Sequence, residues 1–122
     1  MRSNNIVLPA LAGLVAAALF SFAGPGAYAM TAEEQADVCR TQIGSAAEQI
    51  MRARQMGNDR RALDKLIDAS YASARDKTMA AVYHGMVAQA WQVDRADTAR
   101  GRSDIATAFG QDYEAYCNGT QP

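Results

Sequence analysis

Two cysteines and one histidine are the side chains in this chain best suited to chemistry. Cys39 and Cys117 stand far apart in sequence. A redox thiol needs a lowered pKa, usually within C-x-x-C or beside a helix N-terminus. Neither cysteine has a close cysteine neighbour, and Cys117 falls near the end of an expected helix, where the dipole disfavours a thiolate. His84 would need a nucleophile and an orienting group brought to it in space. No nucleophile motif such as G-x-S-x-G is present. His84 therefore reads as a partly exposed helix histidine.

The other candidates are weaker. Met79, His84 and Met86 are close in sequence, and thioether sulfur is a soft ligand suited to Cu(I). Met79 and Met86 nevertheless fall at core spacing and His84 is out of phase with both, so core packing is expected. Asp64 and Asp68 share a helix face, as do Glu33 and Asp37. A carboxylate cation site needs more converging ligands, and a glycosidase pair needs two acids across a cleft. Both pairs read as solvated surface, with Asp64 pairing to Arg60 or Arg61 and Lys65 to Asp68. Arg52, Arg54, Arg60 and Arg61 cluster around one turn and form a candidate anion or partner patch. Asn118-Gly119-Thr120 fits the N-x-[ST] acceptor pattern. No catalytic residue, metal site or cofactor is assigned, and the chain is read as a non-enzyme.

The address of the chain decides how the cysteines are read. Arg2 precedes an apolar run from Ile6 to Ala23, followed by Gly24-Pro25-Gly26 and the small-x-small triplet Ala27-Tyr28-Ala29. That is the order of a secretory signal, with cleavage expected between Ala29 and Met30. A retained membrane anchor is the alternative, but Pro9 and the alanine-rich run argue against it. The expected organisation is a signal peptide over 1–29 and one small domain over 30–122, periplasmic or secreted. The full chain of 122 residues has a net charge of −1. Losing Arg2 makes it more acidic, which excludes the strong basic excess of a general nucleic-acid binder.

In an oxidising compartment two cysteines form a disulfide by default. Within one monomer the only pairing is Cys39–Cys117. Intermolecular pairing and redox chemistry are the alternatives. A small domain with few large apolar residues and much alanine buries a lean core, so such a staple would matter.

Helical periodicity positions these residues. The longest element is expected over Thr31 to Met56, opened by the capping box Thr31-Ala32-Glu33-Glu34 and stopped by Gly57. Ala36, Cys39, Ile43, Ala46, Ile50 and Ala53 recur at spacings of three and four and form one seam. Ala47, Met51 and Met56 widen it. Glu48 and Arg52 pair on the opposite side. Gly44 lies mid-helix, where a close crossing would explain it.

A second helix is expected from Arg60 to Ala74, capped by Asn58 or Asp59, with Leu63, Leu66, Ile67, Tyr71 and Ala74 inward. A third runs from Met79 to Val93 behind Thr78, with Val82, Met86, Ala90 and Val93 flanked by Tyr83, Val87 and Trp91. Residues 94–102 read as a loop or frayed end. Ser103 caps a last helix whose inner face is Ile105, Phe109, Tyr113, Tyr116 and Cys117, ended by Asn118-Gly119. No strand-like alternation is present. The fold class is all-α, a bundle of about four helices closed by Cys39–Cys117.

The early cysteine, the segment Ile50-Met51-x-x-Arg54-Gln55-x-Gly57 and the ending Phe109-x-x-x-Tyr113-x-x-x-Cys117 resemble one group. These are uncharacterised small periplasmic helical proteins of proteobacteria with two bracketing cysteines. The resemblance implies a helical fold and export, and carries over no activity or cofactor. The expected role is a non-enzymatic accessory or protein-binding module with a protein partner. A stress holdase and a small-ligand or copper binder are the two alternatives.

Overall fold

The computed structural model describes residues 30–73 and 76–119. The signal-peptide reading, Ala29, Ala74, Thr120 and the tail lie outside the described residues. Among the described residues the chain is all-helical, and no helix is long and apolar enough to cross a membrane.

Among the described residues, five helices and one π-helical segment form in chain order: α1 (Ala32–Val38), the π segment (Cys39–Gly44), α2 (Ser45–Gln55), α3 (Arg60–Ser70), α4 (Lys77–Ala90) and α5 (Ala99–Cys117). Helical backbone continues through the first three, so they act as one long helix and the bundle has four. Thr31 opens it through both bonds of the capping box: its hydroxyl accepts from the Glu34 N–H and its own N–H donates to the Glu34 carboxylate at 2.9 Å. Those bonds to Thr31 hold the Glu34 carboxyl below its ordinary pKa.

No sequence signal marks the π segment, which turns the buried face. Cys39, Ile43, Ala47, Met51 and Gln55 are all buried at a strict spacing of four. In a pure α-helix that spacing overshoots the 3.6-residue turn and drifts off the face. The wider π turn takes up the excess. Ala47 and Met51 thus sit at the centre of the seam, while Ala46 and Ala53 are half-buried and Met56 is exposed. Gly57 stops the helix with φ +82°, and the N–H groups of Gly57 and Asn58 return to the carbonyls of Arg54 and Ala53. That is a Schellman ending, which needs a left-handed residue at this position.

The long helix packs against α5 on one side and α4 on another. Cys39 and Cys117 are disulfide-bonded, with Cα atoms 5.5 Å apart across a sequence separation of 78. In the chain-entropy model, closing a loop of this length contributes about 4.5 kcal/mol. Gly44 and Gly110 lie at the same crossing, and Glu48 is half-buried there rather than on the opposite side of the helix. Glu48 still pairs with Arg52 at 2.6 Å, as expected.

The remaining helix boundaries differ from expectation where a different residue caps. Helix α5 starts at Ala99 because Thr98, not Ser103, accepts the Gly101 N–H at 3.0 Å. Helix α4 starts at Lys77, before Thr78, and ends at Ala90 rather than Val93. Helix α3 is capped by Asp59, which accepts from the Ala62 N–H, and ends at Ser70.

The segment joining α4 to α5 is tied down by Gln55, which is 1% exposed. Its side-chain amide donates to the Asp94 carbonyl at 3.0 Å and accepts from the Ala96 N–H at 2.8 Å. Its own carbonyl accepts from Arg95 Nε at 3.0 Å. One buried side chain thus supplies the donor and acceptor that a neighbouring backbone would otherwise supply.

Candidate functional site

Of the four helices of the bundle, with the first three segments counted as one, α3 is the least embedded. Ile67 is its only buried residue, Leu63 is half-buried and Leu66 is 61% exposed. It packs on α4. Between α2 and α3 lies an open, mainly apolar groove of about 370 Å³, with Tyr83 of α4 in its lining. Ala46 and Ile50 supply the α2 wall, and Leu63, Leu66 and Ile67 the α3 wall. Gln49 and Ser70 are its polar members, and among the described residues no charged side chain lines it. Tyr71, just beyond α3, meets Tyr83 edge-on with ring centroids 5.1 Å apart. The Tyr83 hydroxyl donates to the Gln42 carbonyl at 3.0 Å. Burial pushes its phenol pKa up, and the neighbouring Tyr71 adds to the rise.

The other face of α3 carries Arg60, Asp64 and Asp68, spaced by four so that they stack in one stripe. His84 of α4 lies against that stripe. Its Nδ1 is 2.7 Å from Asp64 Oδ1 and its Nε2 is 2.7 Å from Asp68 Oδ1. Arg60 Nε stands 3.5 Å from the other oxygen of Asp64. The side chains of His84 and Asp64 are about one-third exposed, and that of Asp68 is 70% exposed. Partial burial on its own would lower the imidazole pKa, but hydrogen bonds and charge from Asp64 and Asp68 outweigh it and raise the pKa.

The protonation state follows from geometry as well. Neutral imidazole offers one N–H donor and one lone pair, whereas ionised carboxylates only accept. Two short contacts in which both carboxylates accept therefore need the imidazolium. His84 is partly exposed, as expected, but it bridges two helices. Asp64 and Asp68 are not idle surface: Asp68 pairs with His84 rather than with Lys65. The shared face of the two aspartates was legible from their spacing. Nothing in the sequence marks which helix that face meets.

This cluster lacks the arrangement for catalysis. Both ring nitrogens are engaged by carboxylates, leaving neither free as a base. Nor do the three side chains converge on one point, since each carboxylate meets a different ring nitrogen. Among the described residues no group of three or more His, Cys, Asp or Glu is arranged to hold a metal ion. Met86 is fully buried in the core, as its spacing predicts, and Met79 is half-buried against it.

The arginine patch is not one surface. Arg52 pairs with Glu48. Arg54 donates to the Val93 carbonyl at 3.1 Å and lies 5.7 Å over the Trp91 ring. Arg60 and exposed Arg61 flank an open depression that Asp59 and Asp64 also line, so acids alternate with bases there. Packing has used Arg54 to fasten the α4–α5 connection, a role its sequence position does not show.

Comparison with known protein families, curated proteins and solved structures finds no match for this chain.

Proposed function

We propose that this protein is an exported, non-enzymatic binding module that accepts an apolar helical segment of a partner protein in the groove between α2 and α3. The observation that carries this reading is the groove itself, with Leu66 exposed on its α3 wall. Among the described residues its lining is mainly apolar and carries no charge, so the complementary occupant is the apolar stripe of an amphipathic helix. Leu63 and Ser70 stand seven residues apart on α3, about 10 Å along the helix, enough to face roughly two turns of a partner helix. The disulfide supports an oxidising location, and the order of residues 2–29 supports export through a cleaved signal. The resemblance to small periplasmic helical proteins points the same way.

A neutral amphipathic Leu/Ala/Gln peptide is the probe. Titrated into the isotopically labelled oxidised domain, it should shift the resonances of Ile50, Leu66 and Tyr71. Leu66→Glu should remove the binding without changing the fold. Shifts that map elsewhere, or binding that survives Leu66→Glu, would reject the groove as the site. Intact mass of the exported protein tests the location, and a chain still starting at Met1 would reject cleavage.

A further inference from the structure

We infer that Asp64, His84 and Asp68 form a pH-dependent clasp that fixes α3 against α4 and thereby sets the width of the apolar groove. The gating step rests on the groove reading above. The clasp itself stands on its own geometry.

Three observations combine. First, α3 contributes one buried residue, Ile67, so little apolar burial holds it in place. Elements held this way are the first to open. Second, each ring nitrogen of His84 meets a different carboxylate of α3, both at 2.7 Å. The two bonds sit one turn apart along α3 and resist both its lifting and its rotation. Third, Leu63, Leu66 and Ile67 form one wall of the groove and belong to the same helix as the clasp carboxylates. Movement of α3 away from α4 therefore displaces that wall.

The sign follows from the imidazole. When protonated, it donates to both carboxylates and the clasp is closed. When neutral, it keeps one N–H, and its bare lone pair faces the other carboxylate. One bond is lost and replaced by repulsion. His84 has a raised pKa in the fold, so the closed form persists above the ordinary histidine value and is lost as pH rises through the folded one. No second histidine exists in the chain.

The charged surroundings are simple. From α3, Asp64 and Asp68 face the ring, with Arg60 behind Asp64. From α2, which also packs on α4, Glu48 and Arg52 pair with each other and Arg54 is bound to the Val93 carbonyl. Within α4, the Tyr83 hydroxyl is engaged with Gln42, and Lys77 makes no ion pair or hydrogen bond with the ring. Among the described residues, His84 is therefore the histidine whose loss of a proton acts on α3.

The experiment uses the oxidised domain. Hydrogen exchange of the α3 amides, corrected for intrinsic rates, is compared at pH 6 and pH 8.5. Protection should fall about fivefold on raising the pH, the size of one partly exposed ion pair. His84→Gln, which cannot change charge, should show no such step. Asp68→Asn, a conservative change at an exposed site, should move the step to lower pH. The single His84 ring signal should titrate with the same midpoint as the exchange step. Flat protection in the unaltered protein, or the same step in His84→Gln, overturns the clasp. The Leu/Ala/Gln peptide separates the two readings. Peptide affinity that follows the α3 step supports gating, and unchanged affinity across the step overturns it. A full α3 step with no peptide binding at either pH keeps the clasp and removes the proposed function.

Discussion

Gly44 and Gly110 face each other across the crossing of the long helix and α5. A Cβ built on Gly110 would lie 2.8 Å from the Gly44 carbonyl oxygen and 2.8 Å from Glu48 Cβ. A Cβ on Gly44 would meet the Gly110 carbonyl at 3.1 Å and Glu114 Cβ at 3.0 Å. The obstacles are backbone and near-backbone atoms, which cannot swing aside. The two helices approach this closely because neither carries a side chain at the contact.

Gly110→Ala should therefore destabilise the protein. Alanine gains about 1 kcal/mol of helix propensity, but overpacking at a fixed contact costs about 1 to 3 kcal/mol. The expected result is a lower urea midpoint with unchanged helical signal. A midpoint at or above the unaltered value would show that the crossing has room.

Reduction of Cys39–Cys117 should lower stability by about 2 to 5 kcal/mol, as for other small domains that depend on one bridge. Urea unfolding with and without reductant measures this directly. The end of α5 should lose exchange protection first, because Cys117 anchors its last turn.

Gln55→Ala should cost more than its polar character suggests. It leaves the Asp94 carbonyl and the Ala96 N–H without their partner. An unpaired, poorly solvated polar group costs about 1 to 3 kcal/mol. A loss of about 2 to 4 kcal/mol, with faster exchange of the Ala96 amide, is the expected outcome. Loss of less than about 0.5 kcal/mol would mean that water replaces the side chain fully.

Stability itself should depend on pH through His84. Its pKa is higher in the fold than in the unfolded chain. The contribution is thus fully present below about pH 6.5, the ordinary histidine value, and disappears as pH rises through the folded value. Unfolding free energy measured from pH 5.5 to 9 should fall relative to that of His84→Gln. Parallel curves for the two proteins would contradict this.

Much of the frame was legible in the residues. Thr31 and Glu34 carry their own start signal, and Gly57 its own stop, because both act within one turn of backbone. Asp59 as a cap, Glu48 with Arg52, and the central buried residues Val82, Met86 and Ala90 of α4 and Phe109, Tyr113 and Cys117 of α5 follow from local spacing in the same way. The disulfide partner was legible for a different reason: two cysteines leave one pairing within a monomer.

Other features were decided by tertiary contact. The spacing-of-four burial from Cys39 to Gln55 needs a π segment that no local propensity marks. Gln55 looks like a surface glutamine until the 94–96 backbone is laid over it. Arg54 looks like part of a basic patch until Val93 and Trp91 occupy it. Asp64, Asp68 and His84 each appear as ordinary helix-surface residues, and only the docking of α3 on α4 makes them one cluster. The physical reason is common to all of these cases. Caps, turns and i, i+4 pairs are interactions of a chain with its near neighbours, so sequence alone determines them. A groove, a buried amide on a distant loop and a histidine between two carboxylates depend on which helix faces meet, and tertiary packing alone decided that.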